Sequence, residues 1–264
     1  MSFLLESPSW ILASLFVVIP SVLICLCMLW AVRKWIPAEE LRENHDVAGF
    51  TFGIIGVLYS VILGFTVVNV QNRYNDVLQT IHIEAVALAD LYRDAASFSP
   101  ANQNAIRTSL RNYVDYVVKQ EWELPTKKGL HMDTEGAVET IWTSYHNIEL
   151  RDEKMNIWYT ESLSKLNNFM SARLSRQFSS WEHLGNMMWS ILIIGGLITI
   201  CFMFFFGLEK LRTQMIMTAL LAGYISFMLY LVYSLDHVFK GPEGIKPVAF
   251  EQVVTLFDRL DRDS

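Results

Sequence analysis

Histidines and carboxylates that stand close together are the first residues to test for chemistry. His82 and Glu84 lie two apart in a stretch of helical pattern, so their side chains diverge by about 200° and make poor metal geometry. His45 beside Asp46, and His131, His146 and His183, have no second ligand at a chelating spacing and read as solvated histidines. Asp236 and His237 sit where an apolar stretch ends and read as interfacial residues, with ion binding as the alternative. There is no Cys-x-x-Cys, no His-Glu-x-x-His and no phosphate-binding glycine loop. Cys25, Cys27 and Cys201 all fall inside apolar stretches, where cysteine is a small packing residue. The sequence therefore offers no catalytic residue, no metal site and no cofactor site, which makes an enzyme the least favoured class.

The residues that can do something lie on one helix. Thr51, Leu58, Ile62, Phe65 and Asn69 share a face, and Asn72 and Asp76 continue it. That face is polar at both ends and bulky in the middle. If copies of this helix ringed an axis, it would line a pore with an apolar constriction at Leu58, Ile62 and Phe65, of the kind that gates by dewetting. A lipid-facing surface with interfacial polar ends would carry the same pattern. A second face holds Gly49, Gly53, Gly56, Ser60 and Gly64 within about 40° of one line. A small-residue stripe lets backbones approach closely in lipid, either within one subunit or between subunits. Further along, Glu84 is about 14 residues beyond the span, and Arg173 is about as far before the next one. Equal rise sets them at one height, so Glu84 is expected to pair with Arg173 or Arg176.

These faces are positioned by membrane spans. The chain is 52% apolar with a mean hydropathy of +0.29. Four stretches of about 20 residues contain no Asp, Glu, Lys or Arg: Trp10 to Val32, Phe50 to Val70, Met187 to Leu208 and Thr213 to Leu235. Each should be helical, because unpaired backbone groups are too costly in hydrocarbon. The first lacks a basic segment ahead of it and is too long for a signal peptide, so it is expected to be retained. A net charge of −6 and a pI near 5.5 argue against a nucleic-acid partner. Sidedness is not decided by charge. Arg33, Lys34, Arg42, Lys210 and Arg212 in the short loops balance Arg73, Arg173, Arg176, Lys240 and Lys246 on the other side. The absence of Lys and Arg before the first span leans toward an outside N-terminus.

The expected architecture is an all-α membrane protein. Residues 1–72 hold spans one and two, 73–186 form a helical water-facing domain, 187–236 hold spans three and four, and 237–264 form a C-terminal tail. The second span should continue as a helix from Gln71 to about Ser97, where neither Pro nor Gly intervenes. Ser99 before Pro100 marks the start of a helix reaching about Glu121. A loop with Pro125 and Gly129 follows, then helices from about Thr134 and from Asp152 to about Trp181. The connector from Arg33 to Val47 carries Pro37, Glu39, Glu40, Arg42, Glu43 and Asp46 and reads as solvated. The tail, with Gly241, Pro242, Gly244 and Pro247, should start irregular and end in a short helix over Phe250 to Leu260.

Several phrases resemble those of a family of small bacterial membrane proteins described as bestrophin-like. They are His45-Asp46-Val47-Ala48-Gly49-Phe50, the run Gly56 to Phe65, Glu84-Ala85, Glu121-Trp122 and Leu235-Asp236-His237-Val238-Phe239-Lys240-Gly241. At Val238 the family prefers a Pro ahead of the Phe. Bestrophins are pentameric ion channels whose second transmembrane helix lines the pore, with a helical cytosolic domain between the second and third spans. The resemblance therefore implies a homo-oligomer, a pentamer, in the bacterial inner membrane. It would pass small inorganic ions along the Thr51, Leu58, Ile62, Phe65 and Asn69 face, with the helical domain in the cytosol. The bestrophin neck is rich in Phe and Pro, whereas the second span here has no Pro and only Phe65 near its middle. The alternative is a non-conducting membrane scaffold or signalling protein whose helical domain binds a partner protein.

Overall fold

The computed structural model describes residues 9–36, 45–122, 132–150, 152–206, 208 and 210–263. The connector residues Pro37 to Glu43 and the loop with Pro125 and Gly129 lie outside them, as do the side chains of His45, Asp46, His131 and Thr134. The described residues form eight α-helices and no strand. They are α1 (Ser9–Trp35), α2 (His45–Asp94), α3 (Pro100–Tyr116), α4 (Met132–His146), α5 (Glu153–Ser179), α6 (Asn186–Phe204), α7 (Leu211–Asp236) and α8 (Val248–Arg262). Four of these helices, α1, α2, α6 and α7, are long and apolar enough to cross a membrane. The chain divides into two compact units: Met1–Tyr74 with His183–Gly244, and Asn75–Glu182 with Ile245–Ser264.

The first unit holds the four apolar helices. Its core is made by Cys25 and Leu29 of α1, Tyr59, Leu63 and Val70 of α2, Leu192 and Ile200 of α6, and Ala222, Ile225 and Val232 of α7. The tightest approach in it is not on the α2 glycine stripe. It is at Gly195 and Gly196 of α6, where a Cβ on Gly195 would stand 2.7 Å from Cδ2 of Tyr59. The glycine pair makes room for that ring between two helices, the role small residues have in lipid. α6 stops at Phe204, short of the Leu208 expected from hydropathy. The Gln214 amide donates to the carbonyls of Met203 at 3.0 Å and Phe204 at 3.4 Å, capping the helix end. Arg33 likewise satisfies the Leu208 carbonyl at 2.6 Å.

The second unit is a helical bundle. α2 has no Pro or Gly in its last 30 residues, so it runs on for 50 residues, about 75 Å. A 3₁₀ turn at Ala95–Ser97 ends it. Ser99 caps α3, its hydroxyl accepting from the Asn102 N–H, and Asp152 caps α5, accepting from Met155 N–H at 2.6 Å. Leu88, Leu91 and Tyr92 of α2 are buried, as are Ile106, Leu110 and Tyr113 of α3, Ile141 and Tyr145 of α4, and Leu166 and Phe169 of α5. α8 belongs to this unit and not to a separate tail. Phe250, Val253 and Phe257 share one face and are buried, and Phe257 stacks on Tyr92 at 3.9 Å between ring centres. Arg107 and Arg111 of α3 pair with Asp258 and Asp261 of α8 at 2.7 to 3.0 Å.

Candidate pore face and buried ion cluster

Within the membrane unit α2 has one covered side and a wide open one. Tyr59, Leu63, Thr66 and Val70 recur every three or four residues and are buried, which defines the side that packs on α6 and its neighbours. Leu58 is 60% exposed, Ile62 40% and Phe65 73%. Asn69, Asn72 and Asp76 are exposed and Thr51 half-buried. All seven residues of the expected pore face thus avoid the covered side, which lies about 100° away around the helix. The direction opposite the covered side runs nearest to Val61 and Val68, with Phe65 about 50°, Leu58 about 70° and Ile62 about 110° away from it.

The small-residue stripe lies about 90° from the covered side, on its other flank. A Cβ on Gly53, Gly56 or Gly64 would meet nothing within 4 Å, and one on Gly49 would reach only Phe206, at 3.9 Å. Among the described residues no side chain of the same chain stands against Gly53, Gly56 or Gly64. Ser60 turns its hydroxyl onto the Gly56 carbonyl at 2.6 Å, so the stripe presents no unpaired donor to hydrocarbon.

In the second unit the charged residues converge. Glu84 is fully buried, and Arg176 grips it with two hydrogen bonds, Nε to Oε2 at 2.7 Å and Nη2 to Oε1 at 3.1 Å. The remaining arm, Nη1, donates to Oε1 of Glu121 at 2.7 Å. The Tyr113 hydroxyl donates to Oε1 of Glu84 at 2.5 Å. Trp122 and Phe250 lie under the guanidinium at 5.4 and 5.6 Å. Burial works against the Arg176 charge, yet the two carboxylates outweigh it and hold its pKa well above the usual range. Burial, with the field of Glu84, pushes the Tyr113 phenol well up, so it stays a donor.

Of the three residues expected to pair, the structure joins Glu84 to Arg176. Arg173 is equally buried, but its Nε and Nη2 make no hydrogen bond among the described residues. Its field does reach Tyr113, and with it the cluster holds two carboxylates and two guanidinium groups. Sequence reasoning missed Tyr113 and Glu121. Glu121 ends a π-helical turn, Val117–Glu121, in which Trp122 N–H donates to the Val117 carbonyl at 3.0 Å. The wider turn brings Glu121 and Trp122 both to the inner side of the helix, and no sequence period announces it. The cluster holds no nucleophile poised beside a base, and its chemistry is to fix helices through charge.

Solved structures show where this fold has been seen. A bacterial bestrophin homolog from Klebsiella pneumoniae carrying a Leu-to-Thr substitution superposes with a TM-score of 0.72 at 13% identity, over 92% of this chain and 98% of the other. An Ile-to-Thr variant of the same homolog gives 0.70 at 14% identity, over 92% and 98%. A structure described only as a membrane protein, carrying a Gly-to-Ala substitution, gives 0.70 at 17% identity, over 93% and 96%. At such identities the likeness is one of fold. No curated protein matches this chain in sequence. The model of the bestrophin-like domain, however, matches residues 19–250, which span both units, and the chain belongs to the bestrophin-like family.

Proposed function

We propose that this membrane protein is an oligomeric ion channel, a pentamer in the bacterial inner membrane, with α2 lining the pore and the bundle of α3, α4, α5 and α8 in the cytosol. The observation that supports it is the open side of α2. In the membrane unit the helix is covered by its own chain on one side only, and its other residues run from half-buried Thr51 through an exposed apolar middle to Asn69, Asn72 and Asp76. With the expected face turned to the axis, the covered side lies to one flank, and Leu58, Ile62 and Phe65 stack as apolar rings that close the path by dewetting. The stripe of Gly49, Gly53, Gly56, Ser60 and Gly64 then meets the neighbouring subunit. The conducted species are small inorganic ions.

The test is ion flux into liposomes at matched protein density. Phe65→Ser and Ile62→Ser should keep the constriction wet and raise leak. Ile191→Ser on the exposed side of α6 should leave flux at the parent level. Equal flux from parent and all three variants would put α2 against lipid and turn the reading to a non-conducting scaffold or signalling protein.

A further inference from the structure

We propose that His183, Asp236 and His237 form a binding site for a divalent transition-metal ion of the zinc class, at the membrane unit's junction of the α6 start and the α7 end. One candidate ligand atom from each residue lies within 4.8 Å of the others. His183 precedes α6, Asp236 is the last residue of α7, and His237 is its cap, where the backbone leaves helical geometry. That exit turns adjacent residues toward one point, which an uninterrupted helix would not do.

Each ligand is already oriented by a second contact. His183 Nδ1 lies 3.2 Å from the Asp236 carbonyl, and His237 Nδ1 lies 3.0 Å from the Tyr233 carbonyl. A carbonyl only accepts, so each Nδ1 carries the proton and each Nε2 presents a lone pair. This is the tautomer that metal-binding imidazoles use, with the other nitrogen donating to backbone. The two rings lie nearly parallel, centres 4.7 Å apart at 21°. The Asp236 side chain is fully buried, and its Oδ1 is taken by the Leu184 N–H at 2.7 Å and by Arg73 at 3.1 Å. Its Oδ2 has the long contact from Trp189 Nε1, at 3.4 Å, with His237 Nδ1 3.9 Å away, and keeps capacity for a cation.

Zinc bonds of 2.0–2.1 Å at tetrahedral angles need ligand atoms about 3.3 Å apart. The required contraction is about 1.5 Å, and the non-helical stretch at His183 and Leu184 can supply it. Two imidazoles and one carboxylate favour zinc, copper or nickel over calcium and magnesium, which prefer all-oxygen shells. Three protein ligands leave a fourth position for water, so this is an open, exchangeable site and not a closed structural one. The Arg73 guanidinium opposes a cation and sets the affinity below that of a structural zinc site. The inference does not depend on whether α2 lines a pore.

The experiment is Zn²⁺ titration by calorimetry of the full chain in detergent, with His183→Gln, His237→Gln and the double variant. His183 is exposed and His237 half-buried, Asp236 is left in place, and far-UV circular dichroism checks that each variant keeps its helices. The expected result is one Zn²⁺ per chain in the parent, affinity at least tenfold weaker in each single variant, no such binding in the double variant, and no competition from a hundredfold excess of Ca²⁺. No heat with the parent at 100 µM Zn²⁺ would overturn the proposal. So would unchanged stoichiometry in the double variant, which would place the ion on other histidines.

Discussion

Arg176 faces two buried carboxylates with one guanidinium, and removing it strands charge where water cannot follow. Breaking a buried pair from one side costs about 3–5 kcal/mol, far more than an exposed pair contributes. Arg176→Met should therefore destabilise the full chain by that order in thermal unfolding, whereas Lys119→Met, which breaks an exposed pair with Asp115, should shift it by less than about 1 kcal/mol. A similar loss from both would mean that the cluster is not the anchor of the bundle. A milder case is Asp261. Burial raises its pKa, but hydrogen bonds from Tyr92 and Arg111 outweigh that and hold it below the ordinary 3.8. A lowered folded value means stability fully present above about pH 4 and lost as pH falls through the folded value. The acid limb of unfolding midpoint against pH should flatten in Asp261→Asn, and an unaltered limb would assign the acid sensitivity elsewhere. At this scale the height of Glu84 against Arg176 was readable from equal helical rise. Tyr113 and Glu121 were not, since one arrives from a separate helix and the other on a π turn. His183 was unreadable for a similar reason: it meets Asp236 across 53 positions of chain.

For the elements, α2 and α6 divide the work of close packing in a way glycine spacing alone does not disclose. The regular stripe on α2 is open in the single chain, while two adjacent glycines on α6 receive the Tyr59 ring. Whether a small residue is used depends on what stands opposite it, and sequence spacing carries no record of that. The two sites should fail differently. In Gly195→Ala the new Cβ would press on the Cδ2–Cε2 edge of the Tyr59 ring, a displacement of the over-packing kind that costs about 1–3 kcal/mol. Gly56→Leu has space within the chain, so the subunit should still insert and fold, and the damage should appear in assembly. Insertion yield and oligomer size read the two outcomes separately. An oligomeric Gly56→Leu variant of parent size would mean that the stripe faces lipid. Element boundaries followed composition where hydropathy or a cap sets them, as at Ser99 and Asp152. They departed where a side chain intervenes from afar, as when Gln214 closes α6 at Phe204.

Across the whole molecule the four apolar helices were legible because charge-free runs of bilayer length have few other uses. The place of α8 was not. Its apolar stripe of Phe250, Val253 and Phe257 showed that it needs a partner, but only the fold brings it to Tyr92 and Arg111, about 150 residues earlier. The same logic of an unmet face extends to the membrane unit. Only 11% of the apolar window of α1 and 17% of that of α2 is buried by the chain itself, against 33% for α6 and 28% for α7. Lipid satisfies α1, whose exposed residues are apolar throughout its middle. On α2 the exposed side carries Asn69 within the span, with Asn72 and Asp76 where the helix leaves it, and a glycine groove lies on the opposite flank. A ring of copies, as proposed above, would give the Asn69 to Asp76 edge water along its axis. Five copies of a 30.4 kDa chain give a protein mass of about 150 kDa, which native mass spectrometry from detergent should find for the parent, with Gly56→Leu falling to smaller species. A parent that flies as a single chain would overturn the ring itself and not merely its subunit count.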